Sequence, residues 1–234
     1  MSIKRPQFVN NEIYHVVVRS VDESLIFKDE SDYYRGIFCI YEFNTTEPIE
    51  IWKQRKKRKT IKAGKKAYID TRNPFVEILT FCFMPNHIHL LLRQIKKNGI
   101  TDFMRKVGTG YSHYFNKKYS RKGHLFQGRF NAVHIQDNEQ LKNTFVYIHV
   151  NPVSLVEPSW KEKGVKDPSK VVKFLESYKW SSFLDYIGTA NFKSVTNRDF
   201  ILQVMGGEEG CRESITAWLK YKGELAQIIP FELE

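Results

Sequence analysis

The order of its strand and helix signals limits this chain more than any single residue does. Periodicity of apolar and polar residues predicts a strand over 12–20, a helix over 29–43, strands over 74–84 and 86–94, a helix over 99–118, a strand over 127–135 and a helix over 137–151. The first six elements run strand-helix-strand-strand-helix-strand. That is the ferredoxin-like (RRM-like) order, an α+β fold whose antiparallel sheet carries two helices on one face. The helix over 137–151 is surplus to the pattern and has to reach the sheet separately.

Two strand residues stand out. His87 and His89 in Phe81-Cys-Phe-Met-Pro-Asn-His-Ile-His-Leu-Leu-Leu-Arg93 are two positions apart, so a strand points both imidazoles to one face and Ile88 to the other. Imidazole is the commonest metal ligand, which makes this strand a platform for a divalent ion. Two surface histidines with no such role give the same pattern. On the last helix, Asp137 is a good N-cap, Gln140 fits a capping box, and Leu141, Thr144, Phe145 and Ile148 form one buried stripe. Pro152 disfavours helical geometry at Asn151 and should end the helix there. At about 100° per residue, Tyr147 and Asn151 fall one turn apart on the shoulder of the stripe. Taken singly, Tyr147 reads as a packing residue and Asn151 as a C-cap; beside a His-x-His strand both become candidates for chemistry.

These stretches resemble the single-tyrosine HUH transposases (IS200-like), and among them the REP-associated tyrosine transposases. The matching segments are Tyr14-His-Val-Val-Val-Arg-Ser20, Met84-Pro-Asn-His-Ile-His-Leu-Leu-Leu92, Tyr114-Phe-Asn-Lys-Lys-Tyr119, Gly123-His-Leu-Phe-Gln-Gly-Arg-Phe130, Tyr147-Ile-His-Val-Asn-Pro-Val153 and Trp180-Ser-Ser-Phe183, in the family's order. The resemblance implies that His87, His89 and Asn151 hold a divalent metal and that Tyr147 is the nucleophile. It also implies a single-stranded or hairpin DNA substrate, and it leaves open a monomer or a homodimer that swaps the tyrosine helix.

The chemistry has its own logic. A phosphodiester repels nucleophiles, and a cation neutralises that charge and orients the scissile bond. A tyrosine can then attack, although its reference pKa near 10 leaves little phenolate at neutral pH. Attack links the 5′-phosphate to tyrosine and frees a 3′-hydroxyl. One phosphodiester replaces another, so joining needs no ATP, in keeping with the absence of a GxxxxGK[ST] loop. Two histidines and an amide oxygen leave positions for water and phosphate, which suits Mg2+ or Mn2+ better than Zn2+. Cys39, Cys82 and Cys211 are scattered without a C-x-x-C pair, and the H-x-E and P-C-x-x-C elements of a zinc deaminase are missing.

Charge points to a polyanion. The chain has 37 basic and 26 acidic residues, a net +11, which favours nucleic acid and salt-sensitive association. The basic run includes Arg55, Lys56, Lys57 and Arg58 within residues 53–72, read as a flexible loop able to lie along a DNA backbone or as a solvated hairpin tip. Arg121 and Lys122 follow the helix over 99–118, and Arg129, after Gly128 on the strand over 127–135, could reach a phosphate or pair with a carboxylate. Tyr111, Phe115 and Phe103 read as core; Tyr114 and Tyr119 are rival nucleophiles without a ligand candidate one turn away.

The organisation expected is a catalytic domain over 1–152 and a partly helical extension over 153–234 packed on it. Within the extension, helices are expected at 198–205 and 213–221, broken at Gly206-Gly207. The start lacks an apolar signal segment and no run is long enough to span a membrane, so a cytoplasmic location is expected. The function this sequence suggests is a metal-dependent single-strand DNA endonuclease and strand transferase. The alternatives are a non-catalytic nucleic-acid-binding regulator on the same fold, and a metallohydrolase of small phosphoesters.

Overall fold

Strict alternation builds the first strand. In β1 (Ile13–Arg19), Tyr14, Val16 and Val18 are buried, while Ile13, His15 and Val17 are only partly covered. A computed structural model describes residues 6–54 and 70–225 of the chain. In it β1 lies inside a four-stranded antiparallel sheet with β2 (Val76–Met84), β3 (His87–Gln94) and β4 (Asn131–Ile135), in the order β2-β3-β1-β4. Strand β1 pairs with β3 and β4 but not with β2, the next strand in sequence, which is the split βαβ arrangement the element order predicts. Pro85 and Asn86 turn β2 into β3, so Met84 faces His87 across the pair.

One face of the sheet carries α1 (Glu30–Glu42) and α2 (Gly99–Lys118). Helix α1 starts in a complete capping box, the Asp29 side chain accepting from the Asp32 N–H while Asp32 accepts from the Asp29 N–H. It packs so closely at Gly36 that a Cβ there would enter the Phe83 ring, and a Cβ at Gly110 of α2 would enter Phe43. Glycine is required at both positions by proximity rather than by backbone angle. Phe27 joins the two helices to the sheet, 5.1 Å from Phe83 and 5.2 Å from Tyr111 between ring centres.

The opposite face is only half covered. Helix α3 (Asn138–Val150) packs over β2 and β3 through Leu141, Phe145 and Ile148. Asp137 caps it as predicted, but Gln140 turns to the Gln136 N–H instead of closing the box. The α-helix ends where expected, at Val150 with Asn151 as its C-cap, but Asn151 keeps helical angles (φ −50°, ψ −40°), and Pro152 sits near the start of a 3-10 turn, Asn151–Leu155. Packing of the buried Asn151, Pro152 and Val153 overrides the bias against helical geometry before proline.

Beyond this turn come single helical turns at Trp160–Lys163 and Phe183–Tyr186, then α4 (Pro168–Leu175), α5 (Asp199–Met205) and α6 (Gly207–Leu225), numbering only the longer helices. Gly206, at φ +82°, ends α5 in the left-handed region. Helix α6 begins at Gly207, earlier than Glu213, because its first turn fits glycine and acidic residues that periodicity ignores. Residues 178–186 seal the outer edge of β2. The Ser182 N–H donates to the Phe81 carbonyl, the Phe83 N–H to the Trp180 carbonyl, and the Tyr178 and Tyr186 hydroxyls to the Phe83 and Leu79 carbonyls. A strand edge left open there would invite pairing with other chains.

The last strand expectation also needs correction. The strand over 127–135 begins only at Asn131; Gly128 has φ +61° and Arg129 sits in an exposed bend, off the ladder. Of the stretch 53–72 only the ends are described: residues 53 and 54 belong to a helical turn over 51–54, whereas 70–72 carry no regular structure, with the Arg72 guanidinium 3.6 Å from the Tyr41 ring centre and bonded to Asp70 and the Tyr41 carbonyl. Arg55, Lys56, Lys57 and Arg58 lie outside the described residues. Among those described, no helix is long and apolar enough to cross a membrane.

Candidate active site on the open face of the sheet

The face opposite α1 and α2 presents His87 and His89 from β3 and His15, Val17 and Arg19 from β1. Cross-strand partners share a face, and Val17 pairs with His89 and Arg19 with His87. Helix α3 stops short of β1 and β4, leaving Val133, the partner of His15, 45% exposed. The outcome is a shallow platform with a histidine cluster at the foot of a helix.

Tyr147 descends onto this cluster. Its ring centre is 5.7 Å from that of His89 and 5.8 Å from that of His15, edge-on to both. His87 and His89 lie 4.9 Å apart by ring centres. Asn151, one turn below Tyr147 and buried, donates from Nδ2 to the Tyr147 carbonyl at 2.7 Å. That bond is the C-cap reading, and it fixes the carboxamide with Oδ1 as the atom able to ligate.

All three imidazoles are neutral at neutral pH. Burial pushes His15 down to about 4. His87 falls to about 4 through burial and the positive charges of Arg19 and Lys161. His89 sits well below its ordinary value through burial, then through His15, His87, Arg19 and Lys161. Neutral imidazole is the form that binds metal.

The donor atoms are of the kinds a divalent ion accepts. His87 Nδ1 is 2.6 Å from Asn86 Oδ1, so it carries the proton and leaves Nε2 bare. This is the second hydrogen bond that metal-binding histidines commonly make. His89 Nε2 is buried without a hydrogen-bond partner among the described residues. Among the described residues no three His, Cys, Asp or Glu side chains form a metal cage. The candidate set is therefore two imidazoles and one amide oxygen, an open set that suits Mg2+ or Mn2+.

The sequence reading missed three residues. His15 touches both His89 and Tyr147; alternation along β1 marks its face, but only the register with β3 brings it to them. Arg19 and Lys161 place positive charge near the histidines. By contrast, Arg121 bonds Asn116 and the Gly123 carbonyl at the end of α2, Lys122 is exposed beside it, and Arg129 is exposed in its bend. The rival tyrosines are elsewhere: Tyr114 and Tyr119 both donate to the carboxylate of buried Asp32, at 2.9 and 2.7 Å. His149 is buried on the far side of α3, 2.8 Å from Ser182 Oγ.

Comparison with known proteins agrees with this architecture. The model of the family described as "Transposase IS200 like" matches residues 8–151. Among solved structures, a REP-associated tyrosine transposase bound to a REP hairpin is similar at 15% identity, over 80% of this chain and 86% of that one, with a TM-score of 0.53. A protein provisionally described as a transposase, from Deinococcus radiodurans R1, matches at 14% identity over 61% and 92% of the two chains, with a TM-score of 0.34. A tRNA(His) guanylyltransferase from Saccharomyces cerevisiae matches at 11% identity over 100% and 85%, with a TM-score of 0.35. Scores as low as these last two carry no weight, and no curated protein matches. The family match spans every strand of the sheet and the tyrosine helix: this chain belongs to the IS200-like transposases.

Proposed function

We propose that this transposase is a metal-dependent endonuclease and strand transferase acting on single-stranded or hairpin DNA, with Tyr147 as nucleophile and His87, His89 and Asn151 as ligands of Mg2+ or Mn2+. The observation that carries the reading is the approach of the Tyr147 ring to His89, whose buried Nε2 has no hydrogen-bond partner among the described residues. A hairpin substrate is suggested by the REP hairpin bound in the related structure. Catalytic residues fall within 1–152, with 153–234 as an extension that closes the edge of β2 and supplies Lys161. Within one chain the Tyr147 ring lies against His15 and His89, which supports cleavage in cis rather than through a swapped helix.

In the cleavage step Tyr147 Oη forms a bond to phosphorus and the bond from phosphorus to the 3′ oxygen breaks. The phenol proton passes to water and the leaving 3′ oxygen takes one back, so charge and protons balance. A bound divalent cation would neutralise the phosphate and polarise the phosphoryl oxygen. Asn151 ties the end of α3 to the tyrosine's own turn and so holds the phenol at a fixed height. Arg19 and Lys161 add positive charge where the backbone passes. The open platform accepts a single strand, and the reverse reaction with another 3′-hydroxyl joins strands.

The test is incubation of the protein with end-labelled hairpin DNA carrying single-stranded flanks, with Mn2+ or with EDTA. A denaturant-resistant adduct that requires Mn2+ and is absent in Tyr147→Phe is the expected result. An adduct unchanged in Tyr147→Phe contradicts the assignment. DNA binding without any adduct in the wild type favours a non-catalytic regulator.

A further inference from the structure

One contact at the site has no role in the scheme above. His15 Nε2 lies 3.0 Å from His89 Nδ1, and the two rings are nearly parallel, 15° apart with centres separated by 5.2 Å. The register explains the meeting. His15 is paired with Leu91 and His89 with Val17, so the two histidines are diagonal neighbours on one face, a distance that aromatic side chains can bridge.

A single proton occupies the contact, and its position decides what His89 can do. With the proton on His15, His89 would have to carry its own proton on Nε2, a donor buried without an acceptor. With the proton on His89 Nδ1, donated to His15 Nε2, the buried His89 Nε2 presents a bare lone pair. The second arrangement satisfies the donor and makes His89 match His87, whose Nδ1 is engaged by Asn86 in the same manner. Both imidazoles then offer Nε2 on one side of the strand.

We propose that His15 is a positioning residue: by accepting from His89 Nδ1 it fixes the tautomer and ring plane of His89, so that Nε2 is presented to the divalent cation. The inference rests on the assignment of His87 and His89 as metal ligands. His15 bonds neither metal nor phosphate; it acts through His89. Its edge contact with Tyr147 keeps the ring wedged between ligand and nucleophile. Partners of this kind typically change metal affinity by about 10- to 100-fold when removed.

Three variants and one spectrum test the idea. Mn2+ affinity of the DNA-free protein, read by loss of the free-ion electron paramagnetic resonance signal, should weaken by about 10- to 100-fold in His15→Leu. It should return to within a few-fold of wild type in His15→Gln, whose amide oxygen can accept at a similar reach. Histidine nitrogen NMR of the metal-free wild type should show His89 protonated at Nδ1 with Nε2 bare, a readout that needs no folded variant. Protonation of His89 at Nε2, or equal Mn2+ affinity in wild type and a folded His15→Leu, overturns the proposal and leaves the metal assignment standing. Mn2+ uptake by the wild type that His87→Ala does not weaken, or no uptake at all, overturns the metal assignment and this proposal together.

Discussion

Two polar clusters flank the sheet, one on each face, and they are built on opposite principles. Under α1 and α2, the carboxylate of fully buried Asp32 accepts from the Lys28 N–H at 2.9 Å, Tyr114 at 2.9 Å, Tyr119 at 2.7 Å and Lys118 at 2.7 Å. Both oxygens are saturated, and the cluster locks the start of α1 to the end of α2. On the open face, His15, His87 and His89 cluster with Tyr147 edge-on to His15 and His89, and the deepest ring keeps one nitrogen without a partner among the described residues. A satisfied cluster holds a fold together; a buried nitrogen without a partner among the described residues is what the proposed metal role would use. Three of the chain's tyrosines divide along that line, Tyr114 and Tyr119 serving the first cluster and Tyr147 the second.

The contrast can be broken by exchanging stability for activity at each site. His89→Leu should abolish both Mn2+ binding and the covalent adduct while leaving stability within about 1 kcal/mol of wild type, because it removes an unsatisfied buried atom. A loss of several kcal/mol in urea unfolding would place His89 in the structural class instead. Asp32→Ala should do the reverse, costing about 3 kcal/mol in the same assay by stripping the acceptor from Lys118 and two hydroxyls. Any protein that remains folded should still form the adduct.

A smaller effect concerns acid. Burial alone would push the Asp32 carboxyl up, but Lys118, Tyr119, the Lys28 N–H and Tyr114 outweigh it and hold the group below the ordinary carboxylate range. Its folded value lies under its unfolded value of about 4, so its contribution is complete above that pH and declines as pH falls further through the folded value. Urea unfolding between pH 7 and pH 2.5 should therefore show a shallower acid decline in Lys118→Met than in wild type; identical slopes would mean that Lys118 does not set the carboxylate. Smallest of all, Arg19→Ala and Lys161→Ala should each reduce the salt dependence of single-strand binding by about 0.7 in the log–log slope. Unchanged slopes would remove these cations from the DNA path.

The fold and the placing of Tyr147 near the histidine strand are legible in the sequence, and what is not has physical causes. Element order predicted the sheet because alternation in Tyr14, Val16 and Val18 and helical spacing in Leu141, Phe145 and Ile148 are local properties. The His-x-His pair and the turn from Tyr147 to Asn151 are local too. His15 was hidden because strand register is set by long-range pairing, and nothing in residues 13–19 tells which residue of β3 lies opposite. Arg129 follows the alternating strand pattern yet lies off the strand, because that pattern does not register the left-handed backbone at Gly128. Asn151 kept helical angles despite Pro152 because burial outweighed a local preference. Lys161 acts on the histidines by its charge from within the extension, a distance along the chain that no motif spans.

The central claim is that the open-face cluster, and not the Asp32 cluster, supplies the nucleophile. Mass spectrometry of the protease-digested protein–DNA adduct tests it directly. A nucleotide linked to the peptide containing Tyr147, formed only with Mn2+ or Mg2+, is the predicted result; linkage at Tyr114 or Tyr119 would contradict the account.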